Sequence, residues 1–163
     1  MLFRSMKVIA TRRLQKKVEH KKTVDELIPI SKLSHLLKNS DFVVVACPLT
    51  PITIGMIDKR ELSTMKSSAI IINIARGNII NEAALIKALQ IKTIAGAALD
   101  VFEEEPLPKE SPLFTLDNVF LSPHISGNFP EYQHDVIVQF ADNLNRYLAG
   151  KDLKNRVCKK RLY

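Results

Sequence analysis

The sequence has little glycine and little cysteine, and it lacks any long apolar run. Its five glycines are too scattered to form the GxGxxG pattern of a phosphate-binding loop; they are Gly55, Gly77, Gly96, Gly127 and Gly150. No apolar stretch approaches the ~20 residues that a membrane-spanning helix needs, so we expect no membrane partner. The two cysteines, Cys47 and Cys158, form no CxxC pattern and no disulfide framework, which favours a cytoplasmic location.

The positive charge of the chain is confined to its two ends. The net charge is +7, but residues 1–22 carry +7 and residues 151–163 carry +5, so the residues between them carry −5. A nucleic-acid-binding protein usually spreads its basic residues over one face, so we expect no nucleic-acid partner and interpret residues 151–163 as a basic tail of solvated charge. His20, His35 and His134 have no Cys, His or acidic neighbour at metal-ligand spacing, and we predict no metal site.

Short apolar runs alternate with amphipathic segments along most of the 163 residues. Strands are predicted at residues 6–11, 42–46, 69–74, 94–99 and 119–121. The run at 42–46 (FVVVA) is continuously apolar, as a strand covered on both faces is. Predicted helices include a short one capped by Ser31, one beginning at Asp58, one capped by Asn81, and a long one over 129–149. Residues 12–22 are predicted to be a charged connection. This alternation predicts an α/β fold with a doubly wound parallel sheet.

Three of the predicted strands are followed by polar residues that can carry out acid–base chemistry. Arg76 follows the strand at 69–74, Asp100 and Glu105 follow the strand at 94–99, and His124 follows the strand at 119–121. Taken singly, each has an ordinary structural explanation. Together they are more informative, because the carboxyl ends of parallel strands lie along one edge of a sheet, where ligands bind. We therefore predict a site of a guanidinium, a carboxylate and an imidazole at that edge.

Three long motifs occur in the segments that carry these residues. INIARGNIINEAALIKAL, GAALDVFEEEPLP and LSPHISG resemble the three C-terminal signatures of the D-isomer-specific 2-hydroxyacid dehydrogenases, and CPLTPITIGMI resembles the segment before them. The likeness covers residues 6 to about 155 and is greatest to the glyoxylate/hydroxypyruvate reductases. The resemblance implies a Rossmann-like NAD(P)-binding domain and hydride transfer between NAD(P)H and a small 2-keto or 2-hydroxy acid.

The resemblance also assigns roles to individual residues. Arg76 is expected to bind the substrate carboxylate and polarise the keto oxygen, which needs a planar two-pronged cation. His124 is expected to protonate that oxygen, and Glu105 to hold the other ring nitrogen. Glu103 and Glu104 are interpreted as loop charge. The expected cofactor contacts are Pro48, Thr50, Ile74, Ala75, Asp100, His124 and Gly127.

The end of the first predicted strand bears on the choice of cofactor. Relatives that prefer NAD usually carry an acidic residue where this chain has Arg12, and an arginine suits the 2′-phosphate of NADP. Arg12 and Arg13 therefore favour NADP over NAD. The alternative is that one or both arginines are simply solvated.

The chain also departs from the family pattern. The glycine loop and the strand before it would precede the segment at residue 6, so residues 1–150 are predicted to be a partial NAD(P)-binding domain. In the strand order 3-2-1-4-5-6 that strand lies between those at 6–11 and 42–46, and we expect the chain alone to fold poorly, to rearrange, or to take a strand from a partner. Lys92 stands where relatives often have a helix-ending glycine. The resemblance implies a homo-oligomer, commonly a dimer. The alternative function is a non-catalytic, truncated nucleotide-binding or protein-interaction module.

Overall fold

The computed structural model describes residues 6–12 and 15–159. The chain forms two compact units, Met1–Pro123 and His124–Tyr163. The strands of the first unit are β1 Ile9–Thr11, β2 Glu19–Lys21, β3 Val24–Ile28, β4 Phe42–Val45, β5 Ile70–Asn73, β6 Gly96–Leu99 and β7 Val119–Leu121. Its α-helices are α1 Leu33–Asn39, α2 Lys59–Leu62 and α3 Glu82–Gln90, and the second unit contains α4 Tyr132–Leu148.

The first sheet is small, with the order β1-β3-β2. β1 pairs with β3 in parallel, and β2 pairs with β3 in the antiparallel direction. Two polar contacts join the residues just before β1 to the first half of β3. The Asp25 carboxylate accepts from the Val8 N–H at 2.7 Å, and Lys7 Nζ lies 2.5 Å from the Glu26 carboxylate. The hydrogen bond from Lys7 is the main cause of the lowered pKa of Glu26. Water screens the attraction between these two charged side chains.

The second sheet has four parallel strands in the order β4-β5-β6-β7. Apolar residues from these strands pack with residues of α1, α2 and α3 into one core, which includes Leu37, Val43, Ile71, Leu85 and Leu99. All three parallel pairings run from one strand to the next along the chain, so the loops that follow β4, β5 and β6 leave the same edge of the sheet. The predicted parallel α/β sheet is confirmed.

The two sheets are separate in the part of the chain that the structure describes. There β1 pairs only with β3, and β4 pairs only with β5, so the strands predicted to share a missing neighbour are both edge strands. The prediction that the run at 42–46 is covered on both faces is wrong for the described residues. Val43 and Val45 are buried, but Phe42 and Val44 on the opposite face are 52% and 55% exposed.

Two local predictions in the first unit are wrong. Residues 12–22 were expected to form only a connection, but Glu19–Lys21 is a strand whose side chains are all exposed, so it has no apolar pattern. Ser31 does not cap a helix with its side chain, because it lies within the 3₁₀ turn Ile30–Lys32 that leads into α1. The predicted caps are correct at Asp58 and at Asn81, whose side chain accepts from the Ala84 N–H at 3.0 Å.

The second unit contains residues 124–131, then α4 and the segment that follows it. The predicted helix over 129–149 is confirmed with slightly narrower bounds, and none of its residues is buried. After Gly150, which has a φ of +65°, the chain folds back. The Asn143 side chain accepts from the Lys154 N–H at 2.8 Å, and Lys154 Nζ lies 3.0 Å from Asp142. The Lys154 side chain is 55% exposed, so this is a surface ion pair, and the interpretation of the tail as solvated charge stays a prediction.

Lys92 follows the end of α3, at the position where relatives often have a helix-ending glycine. Lys92 has a φ of +55°, and its N–H and that of Thr93 donate to the carbonyls of Leu89 and Ala88, the bonding pattern of a Schellman motif. A left-handed residue with a Cβ is strained, so Lys92→Gly should raise the free energy of unfolding by about 0.5–1 kcal/mol after the entropy of the unfolded glycine is counted. Urea unfolding measures it. Lys92→Ala keeps the Cβ and is the control; an equal gain in that variant would contradict the explanation.

Candidate functional site

The loop after β5 carries Arg76 and is fixed by the last residue of the strand. Asn73 is 1% exposed, its amide nitrogen donates to the carbonyl of Arg76 at 3.0 Å, and its amide oxygen accepts from the Ala75 N–H at 3.1 Å. A buried amide must find such partners, and here it finds them in the turn itself. The exposed Arg76 side chain donates from Nη1 to the carbonyl of Ala75 at 2.6 Å. Asn73 thus sets the direction in which Arg76 leaves the sheet.

Gly77 brings the loop after β5 against the loop after β6. A Cβ at residue 77 would lie 1.9 Å from the carbonyl carbon of Phe102 and 2.4 Å from the nitrogen of Glu103. No side chain fits into that space, so only glycine permits this approach of two backbones. The residue after Arg76 is therefore in direct contact with the segment that leads to Glu105.

The loop after β6 carries Asp100 and Glu105. Asp100 is 3% exposed, and its carboxylate accepts from the Ser122 hydroxyl at 2.5 Å, which connects the ends of β6 and β7. Glu105 is exposed, and its carboxylate accepts from the N–H of Phe102 at 3.0 Å. Arg76, Asp100 and Glu105 therefore all lie in the loops that follow two paired strands, β5 and β6.

Glu82 and Glu103 exchange hydrogen bonds between that loop and the first residue of α3. The Glu103 carboxylate accepts from the Glu82 N–H at 3.0 Å, and the Glu82 carboxylate accepts from the Glu103 N–H at 3.1 Å. Burial raises the pKa of Glu82, and so do the nearby Glu103 and Glu104 carboxylates, although the Glu103 N–H lowers it. The interpretation of Glu103 as mere loop charge is wrong, because it has a specific backbone partner.

The loop after β4 contains the predicted cofactor contacts Pro48 and Thr50. The Thr53 hydroxyl donates to the Pro48 carbonyl at 2.8 Å and accepts from the Thr50 N–H at 2.8 Å, so it closes the loop. The Gly55 N–H donates to the carbonyl of Asn78 at 2.9 Å, which ties this loop to the one after β5. The loops after β4, β5 and β6 are thus linked to one another.

Arg12 lies at the carboxyl end of β1 and is exposed. Its Nε donates to the side chain of the buried Gln15 at 3.2 Å, while the described residues provide no bond for its two terminal amino groups. The hydroxyl oxygen of Thr11 is buried beside it and has no hydrogen-bond partner among the described residues. Arg13 lies outside the described residues.

The two remaining predicted residues belong to the second unit. His124 opens that unit and has a φ of +55°, while a Cβ at Gly127 would meet no atom within 4 Å. The convergence of His124 with Arg76 and Glu105 stays a prediction. In the described part of the chain, no group of three or more His, Cys, Asp or Glu could hold a metal ion, and no helix there is long and apolar enough to cross a membrane.

Sequence reasoning missed the residues that hold the loops: Gln15, Thr53, Asn73, Glu82 and Ser122. Only Asn73 had a readable signal, since it is a lone amide at the end of the apolar run AIIIN and must be hydrogen-bonded when it is buried. Gln15 and Thr53 bond within their own loops, where the sequence shows no distinctive pattern. Glu82 and Ser122 act across loops whose proximity depends on strand pairing, which the linear pattern does not give.

A parallel sheet whose strand-end loops are tied together in this way has the architecture of a Rossmann-type fold. A family model for the NAD-binding domain of the D-isomer-specific 2-hydroxyacid dehydrogenases matches residues 3–126. The chain belongs to this family.

The relatives extend the likeness to particular enzymes. Glyoxylate/hydroxypyruvate reductase B of Enterobacter agglomerans is 49% identical over 125 residues, which are 77% of this chain and 39% of that protein. The homologue of that name from Serratia proteamaculans is 47% identical over the same length. The chain thus spans about two fifths of the length of these relatives.

Solved structures agree with this assignment. A D-isomer-specific 2-hydroxyacid dehydrogenase from Xanthobacter autotrophicus, solved with NADPH, superposes with a TM-score of 0.85 at 38% identity over 96% of this chain and 62% of that one. An NADPH-dependent glyoxylate/hydroxypyruvate reductase from Sinorhizobium meliloti, solved with NADP, gives a TM-score of 0.86 at 29% identity over 96% and 49% of the two chains. The predicted family and fold class are confirmed.

The contact at Gly77 gives a test of how the loops are held. Gly77→Ala would place a methyl group within 1.9 Å of the Phe102 carbonyl carbon, so backbone must move. We expect the free energy of unfolding to fall by ~3 kcal/mol, the upper range for an overpacked site, as measured by urea unfolding. Gly127→Ala adds a methyl group where no atom lies within 4 Å and is the matched control. Equal stability of the two variants would rule out the close approach.

Proposed function

We propose that the chain is the nucleotide-binding and catalytic part of an NADP-preferring 2-hydroxyacid dehydrogenase that reduces glyoxylate or hydroxypyruvate. The observation that carries the proposal is the pair of linked loops after β5 and β6, which hold Arg76 and Glu105 on adjacent strand ends at the edge where such folds bind ligands. The names of its relatives, glyoxylate/hydroxypyruvate reductase B, indicate the substrate class.

The residues at the end of β1 fit the adenosine end of NADP. The Thr11 hydroxyl is buried without a partner among the described residues, and a ribose or phosphate oxygen would satisfy it. Gln15 engages Nε of Arg12, and within residues 6–12 and 15–159 the two amino groups of the guanidinium have no bond, so a phosphate could bind them. Pro48, Thr50, Ile74, Ala75, Asp100 and Gly127 are the further proposed contacts, together with Arg13.

The chemistry divides between the cofactor and the side chains. When it is bound, the nicotinamide supplies the hydride that reduces the keto carbon. Arg76 binds the substrate carboxylate and polarises the keto oxygen, and His124 gives that oxygen a proton as it becomes a hydroxyl. Glu105 accepts from the other ring nitrogen of His124 and stabilises the imidazolium form. In oxidation each proton transfer runs backwards.

We also propose an oligomeric state, a cellular location and domain bounds for the chain. The exposed apolar face of β4 and the exposed apolar residues of α4 fit a homo-oligomer, and the two cysteines without a disulfide framework fit a cytoplasmic location. Residues 1–150 form the partial NAD(P)-binding domain in this proposal, with residues 151–163 as an appended basic segment.

Oxidation of NADPH by hydroxypyruvate and by glyoxylate tests the function. We expect the chain to turn over with NADPH in preference to NADH, and His124→Ala to lower kcat by about 100-fold or more, because the general acid is lost. His134→Ala replaces an exposed histidine of α4 and should leave the rate unchanged. Equal rates in the two variants, or a strong preference for NADH, would count against the proposal.

A further inference from the structure

Two carboxylates join the first turn of α3 to the loop after β6. Asn81 caps the helix by accepting from the Ala84 N–H, but this leaves the Glu82 N–H, one of the four donors without a partner inside the helix. The Glu103 carboxylate accepts from that N–H at 3.0 Å, where the helix dipole also favours a negative charge. Glu82 returns the bond to the Glu103 N–H at 3.1 Å.

These reciprocal bonds act on the segment that holds Glu105. Glu103 directly follows Phe102, and the Phe102 N–H donates to the Glu105 carboxylate at 3.0 Å. On its other side the Phe102 carbonyl lies against Gly77, whose missing Cβ would stand 2.0 Å from the carbonyl oxygen. The backbone of Phe102 and Glu103 is thus fixed by Gly77 and by Glu82.

We propose that Glu82 and Glu103 form a clamp that positions Glu105 for its role beside the catalytic histidine. The clamp fixes the direction of the Glu103 N–H, and the preceding peptide then presents the Phe102 N–H to the Glu105 carboxylate. Glu82 and Glu103 are positioning residues, since they act through this backbone. The inference rests on the proposed function for the role of Glu105, but the clamp itself can be measured without turnover.

Amide hydrogen exchange by NMR on the full chain tests the clamp. Glu103→Leu removes the acceptor, and we expect exchange of the Glu82 and Phe102 amides to speed up by about fivefold or more, as loss of one hydrogen bond implies. Glu103→Gln keeps an oxygen acceptor and should restore the rates to within about twofold of the original chain. Glu104→Leu removes the neighbouring, exposed carboxylate and should change neither amide.

Unchanged protection of the Phe102 amide in Glu103→Leu would overturn the proposal, and so would equal exchange in the Leu and Gln variants. A uniform rise in exchange that includes the amides of β5 would assign the pair of glutamates to global stability and would also overturn the proposal.

Turnover separates this proposal from the proposed function. If the original chain does not oxidise NADPH, the proposed function fails while the exchange rates still decide the clamp. If it does, Glu103→Leu should lower kcat and leave the KM for NADPH unchanged.

Discussion

The approach of the Gly77 backbone to the carbonyl of Phe102 is the constraint on which the site depends. β5 and β6 are paired in parallel, so their following loops leave the sheet side by side, but pairing alone would let those loops diverge. With no Cβ at residue 77, the two backbones lie in contact, one residue after Arg76 and three residues before Glu105. The relative positions of the cation and the acid are therefore set by backbone atoms, which move less than long side chains do.

Buried polar groups at the strand ends complete that arrangement. Asn73, at 1% exposure, and Asp100, at 3%, are the last residue of β5 and the residue after β6. Each side chain forms hydrogen bonds in the loops. Asn73 donates to the Arg76 carbonyl in its own turn, and Asp100 accepts from the Ser122 hydroxyl after β7. An apolar residue at either position would leave the Ala75 N–H or the Ser122 hydroxyl without this partner, which costs about 1–3 kcal/mol where the group stays buried. The polar strand ends thus order the loops.

Much of the fold could be predicted from the sequence, because buried parallel strands and capped helices have local signatures. The apolar runs located β4 to β7, and Asp58 and Asn81 marked helix starts that the structure has. β2 could not be predicted, since its three side chains are all exposed and it is held to β3 by backbone pairing and by a contact of the His20 ring with the Asp25 carbonyl. The exposed face of β4 was also missed, because an apolar run predicts burial without saying what covers it.

The candidate site, like the fold, could be predicted only in part from the sequence. Arg76 and Glu105 could be placed at one sheet edge from their positions after apolar runs, whereas the partners that hold them could not. Glu82 and Glu103 are separated by 21 residues and meet only because α3 begins beside the loop after β6. A run of three acids reads as solvated charge in a linear sequence. In the fold, the first acid of that run serves a helix terminus and the third accepts from the chain's own backbone, so the one left without such a bond among the described residues is Glu104. The position of each acid in the run therefore decides which backbone N–H it binds.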